Sequence, residues 1–133
     1  MKLDRAALVT GIVVSLLICV PAALIGQSLD DASSSDNPST VVSLLAILVL
    51  AGLVVGATVA ARRQTLDAPL VHGIVTAIVT FVLVQGVGIL RRFATSEDVS
   101  WSRILSSALL SMVAGTVGGL IGGRLRHQAE QHP

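Results

Sequence analysis

Residues 40–63 read TVVSLLAILVLAGLVVGATVAARR. No charge interrupts residues 40–61, and two arginines, Arg62 and Arg63, close the run. A helix rises about 1.5 Å per residue, so some 20 apolar residues cross a hydrocarbon core of about 30 Å. In that core every backbone N–H and C=O must be paired within the segment or within a closed barrel. A barrel strand alternates apolar and polar residues. Leu44-Leu45-Ala46-Ile47-Leu48-Val49-Leu50 does not alternate, so the stretch predicts a transmembrane helix.

Working outward, three more stretches lack Asp, Glu, Lys and Arg. They cover residues 6–29, 68–90 and 104–123, beside 37–61 around the opening run. All are long enough to cross a bilayer, and the charges fall between them or at the ends. The expected fold is all-α, a polytopic four-transmembrane-helix bundle in a single domain. The spans are placed at about 6–26, 41–61, 69–90 and 103–123. Residues 27–40 then form an acidic external loop, and 124–133 a cytoplasmic tail. End signals agree. Ser39 or Thr40 can cap the second helix, Pro69 suits the first turn of the third, and Ser100 or Ser102 can cap the fourth. Trp101 suits the headgroup interface, and Pro21 is expected to loosen the last turn of the first helix.

Composition supports this reading. The 133 residues are 53% hydrophobic and only 13% charged, against roughly a quarter charged in soluble domains. A net charge of +1 and an aromatic content of 2% argue against nucleic-acid binding. Cys19 is the one cysteine, so an intrachain disulfide and a multi-cysteine zinc site are both excluded. No cofactor motif and no metal cluster stands out in the sequence.

Basic residues set the expected orientation, because they favour the cytoplasmic side. Lys2, Arg5, Arg62, Arg63, Arg124 and Arg126 lie on one side; Arg91, Arg92 and Arg103 lie on the other. Both termini are therefore expected inside a cell membrane. A cleaved signal peptide is the competing reading of the first span, with Gly26-Gln27-Ser28 as a small-x-small site. The uncharged run is longer than the usual apolar region of about 7–15 residues, so the span is expected to be retained.

The chain also suggests a tandem repeat of two helix hairpins. Gly11-Ile12-Val13 recurs as Gly73-Ile74-Val75, and Ala51-Gly52-Leu53-Val54-Val55-Gly56 resembles Ala114-Gly115-Thr116-Val117-Gly118-Gly119. The offsets are 62 and 63 residues. Two-span units return to the side they start from, so the copies would be parallel.

Small residues every fourth position mark helix-packing faces in lipid, where backbones must approach closely. Gly52, Gly56 and Ala60 form one such face in the second span; Gly115, Gly119 and Gly123 form another in the fourth, beside Ala114, Gly118 and Gly122. They predict packing within the chain, chiefly of spans two and four, or a homo-oligomer seam.

Candidate chemistry is sparse. Gln85, with Thr76 and Thr80 on the same helix, is a possible polar path; the ordinary role of such groups is interhelical bonding. His72 with Arg62 and Arg63 is a possible headgroup contact; the alternative is a solvated or internally bonded histidine. No Asp, Glu, Lys or Arg lies in the middle of a span, which argues against ion-coupled transport by this chain alone. No Gly-x-Ser-x-Gly occurs, and no catalytic residues are assigned. The chain is expected not to be an enzyme.

Gly56 with Ala60-Ala61-Arg62-Arg63, Asp67-Ala68-Pro69-Leu70-Val71-His72-Gly73 and Gly118-Gly119-Leu120-Ile121-Gly122-Gly123-Arg124 resemble a family of small, uncharacterised four-helix integral membrane proteins of Gram-positive bacteria. The resemblance implies the architecture and no activity. The expected function is that of a non-enzymatic packing or interaction component of the cell membrane. Its partners would be the lipid bilayer and a second copy or another membrane protein. The alternative is a small transporter or channel subunit acting as an oligomer.

Overall fold

The computed structural model describes residues 3–32, 40–95 and 101–131. They form four helices: α1 (Arg5–Ala32), α2 (Thr40–Arg63), α3 (Pro69–Thr95) and α4 (Trp101–Gln131). All four are long and apolar enough to cross a membrane. Each neighbouring pair around the ring α1–α2–α4–α3 is in contact, and α2 also touches α3. Among the described residues α1 and α4 do not meet.

The packing is inverted relative to a water-soluble bundle. The largest fully buried side chains are His72, Thr76, Thr80, Cys19, Ser15 and Ser111. Large aliphatics face outward, with Leu17 71% and Leu90 75% exposed. In water that surface would be a severe aggregation hazard; in lipid it matches the solvent. Between helices, small residues replace the usual apolar core.

Three boundaries depart from the sequence expectations. α1 continues to Ala32, so residues 27–32 of the expected external loop are helical. α4 continues to Gln131, so most of the expected tail extends the helix. α1 also runs eleven residues beyond Pro21, which makes that proline internal. Its missing N–H spares only one carbonyl, and Pro is tolerated inside apolar helices. Ser39 and Ser100, weighed as caps, lie outside the described residues; α3 does start at Pro69.

Glycine faces set the helix contacts. A Cβ on Gly11 would stand 2.6 Å from both the Gly56 carbonyl oxygen and the Ala60 Cβ. One on Gly73 would stand 2.5 Å from the Gly115 oxygen and 2.7 Å from the Gly119 Cα. Both hairpins thus close glycine on glycine. Carried over at offsets of 62 and 63, the Gly11 contacts would fall on Gly119 and Gly123. The second hairpin instead closes one helical turn away.

The two stripes of α4 serve different neighbours. Gly115, Gly119 and Gly123 pack on α3, at Ala77, Leu70 and Pro69 respectively. Gly118 and Gly122 pack on α2, at Ala57 and Ala61. The expected contact of spans two and four therefore runs through Gly118 and Gly122 rather than through the Gly115 face. Gly52 and Gly56 of α2 are taken up by Ile18, Cys19 and Ser15 of α1.

This close packing occupies only half of the bundle. The buried residues of α2 begin at Gly52, and those of α4 at Ser111. Among the residues whose burial is described, the last buried one in α1 is Ala22, and in α3 burial after Thr80 is confined to Gly88. The half that holds the N-terminus, the α2–α3 connection and the end of α4 is tight. The other half is splayed.

Candidate functional site

The tight end is tied by a polar cluster drawn from the residue before α1, the α2–α3 connection, α3 and α4. Asp4 caps α1, its Oδ1 accepting the Ala7 N–H at 3.2 Å. Its Oδ2 accepts from the backbone N–H and the hydroxyl of Thr65, at 3.3 and 3.1 Å. These bonds, the Ala7 N–H first and the Thr65 hydroxyl next, hold the Asp4 carboxyl below the usual carboxylate range. The connection turns at Asp67, which adopts φ 49°, a conformation Asp tolerates better than most residues. Gln64 is 2% exposed and its Oε1 accepts the Ala68 N–H at 3.0 Å. Arg126 of α4 reaches the Gln64 carbonyl and Asp67, both at 3.1 Å.

His72 belongs to this cluster and is fully buried. The Asp4 backbone N–H donates to its Nε2 at 2.9 Å. That nitrogen is therefore the acceptor, and Nδ1 carries the proton toward the Ala68 carbonyl, 2.9 Å away. Both ring nitrogens are engaged, so His72 is not available to a lipid headgroup. Arg62 and Arg63 are exposed at the end of α2, where their charge also complements the helix dipole. Asp4, Gln64 and Thr65 were not singled out from the sequence. An Asp directly before an apolar run is a capping signal, but its link to residue 65 is purely tertiary.

The splayed half encloses a cavity of about 360 Å³, at the lower end of the roughly 300–1,000 Å³ typical of small-molecule sites. All four helices contribute to it. Its floor lies at Cys19, Ala22 and Leu53, which are buried. Cys19 donates from Sγ to the Val49 carbonyl at 3.3 Å, and Ser15, a turn deeper, donates to the Gly52 carbonyl at 3.1 Å. Among the described residues none of the lining is ionisable except Cys19. Gln27, Gln85 and Ser107 are its polar side chains; the rest of the wall is aliphatic, with Phe81 and small residues.

Gln85, singled out from the sequence, thus lines this cavity, while Thr76 and Thr80 do not. Both threonines are fully buried in the tight half, and neither hydroxyl has a hydrogen-bond partner among the described residues. The three do not form one continuous lining. Gln27 was not singled out, because the sequence placed it in a loop. Its Nε2 lies 3.1 Å from where a Gly88 Cβ would stand, so it packs across the α1–α3 flank. Among the described residues no three His, Cys, Asp or Glu side chains gather as a metal-holding group.

Residues 5–122 match the family described as "Protein of unknown function (DUF3792)". That is most of the chain, and the chain belongs to this family. No curated protein and no solved structure matches it.

Proposed function

We propose that this member of the family is a non-enzymatic component of the cell membrane, with both termini cytoplasmic, that acts by holding a partner within the bilayer. The tight half is the scaffold and the splayed half is the working surface. The observation that carries this reading is the asymmetry of burial. Glycine contacts and the Asp4–His72–Arg126 cluster hold one half, while the other half leaves a cavity of about 360 Å³ among four apolar helices. A protein that needed only to span the membrane could carry its small-residue packing along the whole bundle.

This reading moves the expected contact surface. The Gly115 face is occupied by α3 within the chain, so the seam that the sequence offered for a homo-oligomer is already in use. The partner surface lies instead at the splayed half. The test is crosslinking in native membranes, with Cys19 replaced and single cysteines at Ala46 or at Leu17. Partner adducts from Ala46 and none from Leu17 support the reading. Equal yields at both sites overturn it, as does the absence of any adduct, protein or lipid, at Ala46.

A second reading, a transporter or channel subunit, is favoured by one observation. His72, Thr76 and Thr80 form a buried polar row on α3 that leads toward Gln85, and two of its hydroxyls lack partners. Against it, glycine-mediated contacts close the tight half. It requires solute flux in liposomes that changes on Gln85→Leu. An oligomer without flux removes it.

A further inference from the structure

The cavity has a mouth and a back wall, and their chemistry points to an occupant. Of the lining residues, only Ala46 of α2 and Leu110 of α4 are exposed. Both lie on one neighbouring pair of helices, so the exposed rim of the described lining, which we read as the mouth, is on the α2–α4 side. The contacts of Gly118 and Gly122 with α2 all lie in the tight half, from Val54 to Arg62. Across the cavity, Gln27 packs on Gly88 and closes the α1–α3 flank. Leu45 stands 3.8 Å from where a Gly26 Cβ would be and borders the α1–α2 flank. The two amides thus stand on the wall opposite the mouth.

The depth is also defined. The third span ends at Leu90, so Gln85 lies about 7.5 Å inside it at 1.5 Å per residue. Gln27 lies two residues from the end of the first span at Leu29. Counted from the ends of these apolar spans, both amides lie near the span ends, while the floor at Cys19 and Leu53 lies nearer their middle. The apolar wall of Val49, Leu53 and Phe81 follows the same direction.

We infer that this cavity is a binding site for an uncharged lipid that enters from the bilayer between α2 and α4. Its hydroxyl or ester carbonyl lies at Gln27 and Gln85, and one acyl chain runs down to Leu53. Three features select this class. A mouth that opens between apolar helices faces acyl chains, not water. Among the described residues the wall has no Asp, Glu, Lys, Arg or His, and such a wall offers nothing to offset a charged headgroup, whose burial there is costly. A glutamine amide both donates and accepts, which suits a hydroxyl or carbonyl. The size matches a small-molecule site, not the 10–12 Å girth of a helix. This inference rests on the reading that the splayed half is the working surface.

The test uses the full chain in phosphatidylcholine liposomes with a diacylglycerol probe carrying a diazirine on one acyl chain. Adducts are expected at Val49, Leu53 or Phe81. Ala46→Trp and, independently, Leu110→Trp narrow the mouth at exposed positions and should cut labelling about tenfold, the effect of roughly 1.4 kcal/mol. Gln85→Leu and Gln27→Leu should each cut it about threefold, as for one hydrogen bond in a membrane. Phosphatidic acid with the same chain and diazirine should label weakly. Unfolding midpoints matching wild type show that the variants fold. Labelling confined to outward residues such as Leu17 and Leu90, labelling unchanged by both tryptophans, or equal labelling by phosphatidic acid overturns the inference. In native membranes, a protein adduct at Ala46 without lipid labelling overturns it and leaves the partner reading standing. Absence of both kinds of adduct overturns both.

Discussion

Replacing Gly56 by alanine tests how the bundle is held. A Cβ there would collide with Ser15 Oγ and stand 2.5 Å from the Gly11 carbonyl oxygen and 2.8 Å from Ser15 Cβ. Ordinary contact needs about 3.5 Å. The serine can rotate, but the Gly11 carbonyl belongs to the helix backbone, so α1 must withdraw by up to about 1 Å. Overpacking of this kind costs roughly 1–3 kcal/mol. The withdrawal also stretches the Ser15 Oγ to Gly52 carbonyl bond, 3.1 Å in the native protein; such a bond in a membrane is worth about 0.6 kcal/mol on average. Against this stands the better helix propensity of alanine, about 1 kcal/mol.

Gly86→Ala is the internal control. It adds the same Cβ and the same propensity where no atom lies within 4 Å. The propensity term cancels between the two variants. Gly56→Ala should therefore unfold more readily than Gly86→Ala by roughly 2–4 kcal/mol, the sum of overpacking and hydrogen-bond loss. Unfolding by sodium dodecyl sulfate in mixed micelles measures this, with thiol labelling of Cys19, fully buried in the native state, as the readout. Adding Ser15→Gly to Gly56→Ala should recover part of the loss and no more, since the Gly11 oxygen remains. Equal stability of Gly56→Ala and Gly86→Ala, or complete recovery by Ser15→Gly, would refute the backbone-contact argument.

Three further outcomes follow from the interior. His72→Leu removes the acceptor of the Asp4 N–H and should cost about 1 kcal/mol in the same unfolding assay, as expected for the loss of one part-buried hydrogen bond. The Asp4 carboxyl is lowered in the folded state by the Ala7 and Thr65 donors. Its contribution is therefore present above the unfolded carboxylate range and is lost as pH falls through the lower folded value. Melting between pH 6 and pH 3 should show an acid-side drop that is smaller in Asp4→Asn. Thr76→Val and Thr80→Val replace buried hydroxyls without partners by groups of the same shape, so each should leave stability unchanged or raised. A loss above about 1 kcal/mol in either would show that the hydroxyl is bound in the native protein.

Much of the fold was legible from the chain alone. Long uncharged runs such as 37–61 allow only helices in lipid, since nothing else pairs the backbone within a segment. Spacing of four then marked Gly52, Gly56 and Gly115 as contact residues, because a helix places such positions on one side. Tertiary structure decided which face meets which helix. Gly115 and Gly118 lie three residues apart on α4, yet one packs on α3 and the other on α2. Periodicity does not encode the neighbour, only the face. The one-turn shift between the hairpins is likewise invisible to an alignment of the halves.

The candidate site divides in the same way. Gln85 stood out in the sequence because a glutamine in an apolar run is costly unless it is bonded or lines a polar surface. Gln27 did not, because the expected first span ends at residue 26, whereas α1 continues to Ala32. His72, one turn into a span, left a headgroup contact, a solvated and an internally bonded histidine all open, and the fold of Asp4 and the α2–α3 connection over it makes it the last, a buried strut. The cavity has no linear signature at all. It lies beyond the closest glycine contacts, which hold the helices together at the other end. The sequence determined the helices and their small-residue faces through backbone pairing in lipid and the four-residue repeat. Only the tertiary structure decided where those faces run out, and therefore where the bundle opens.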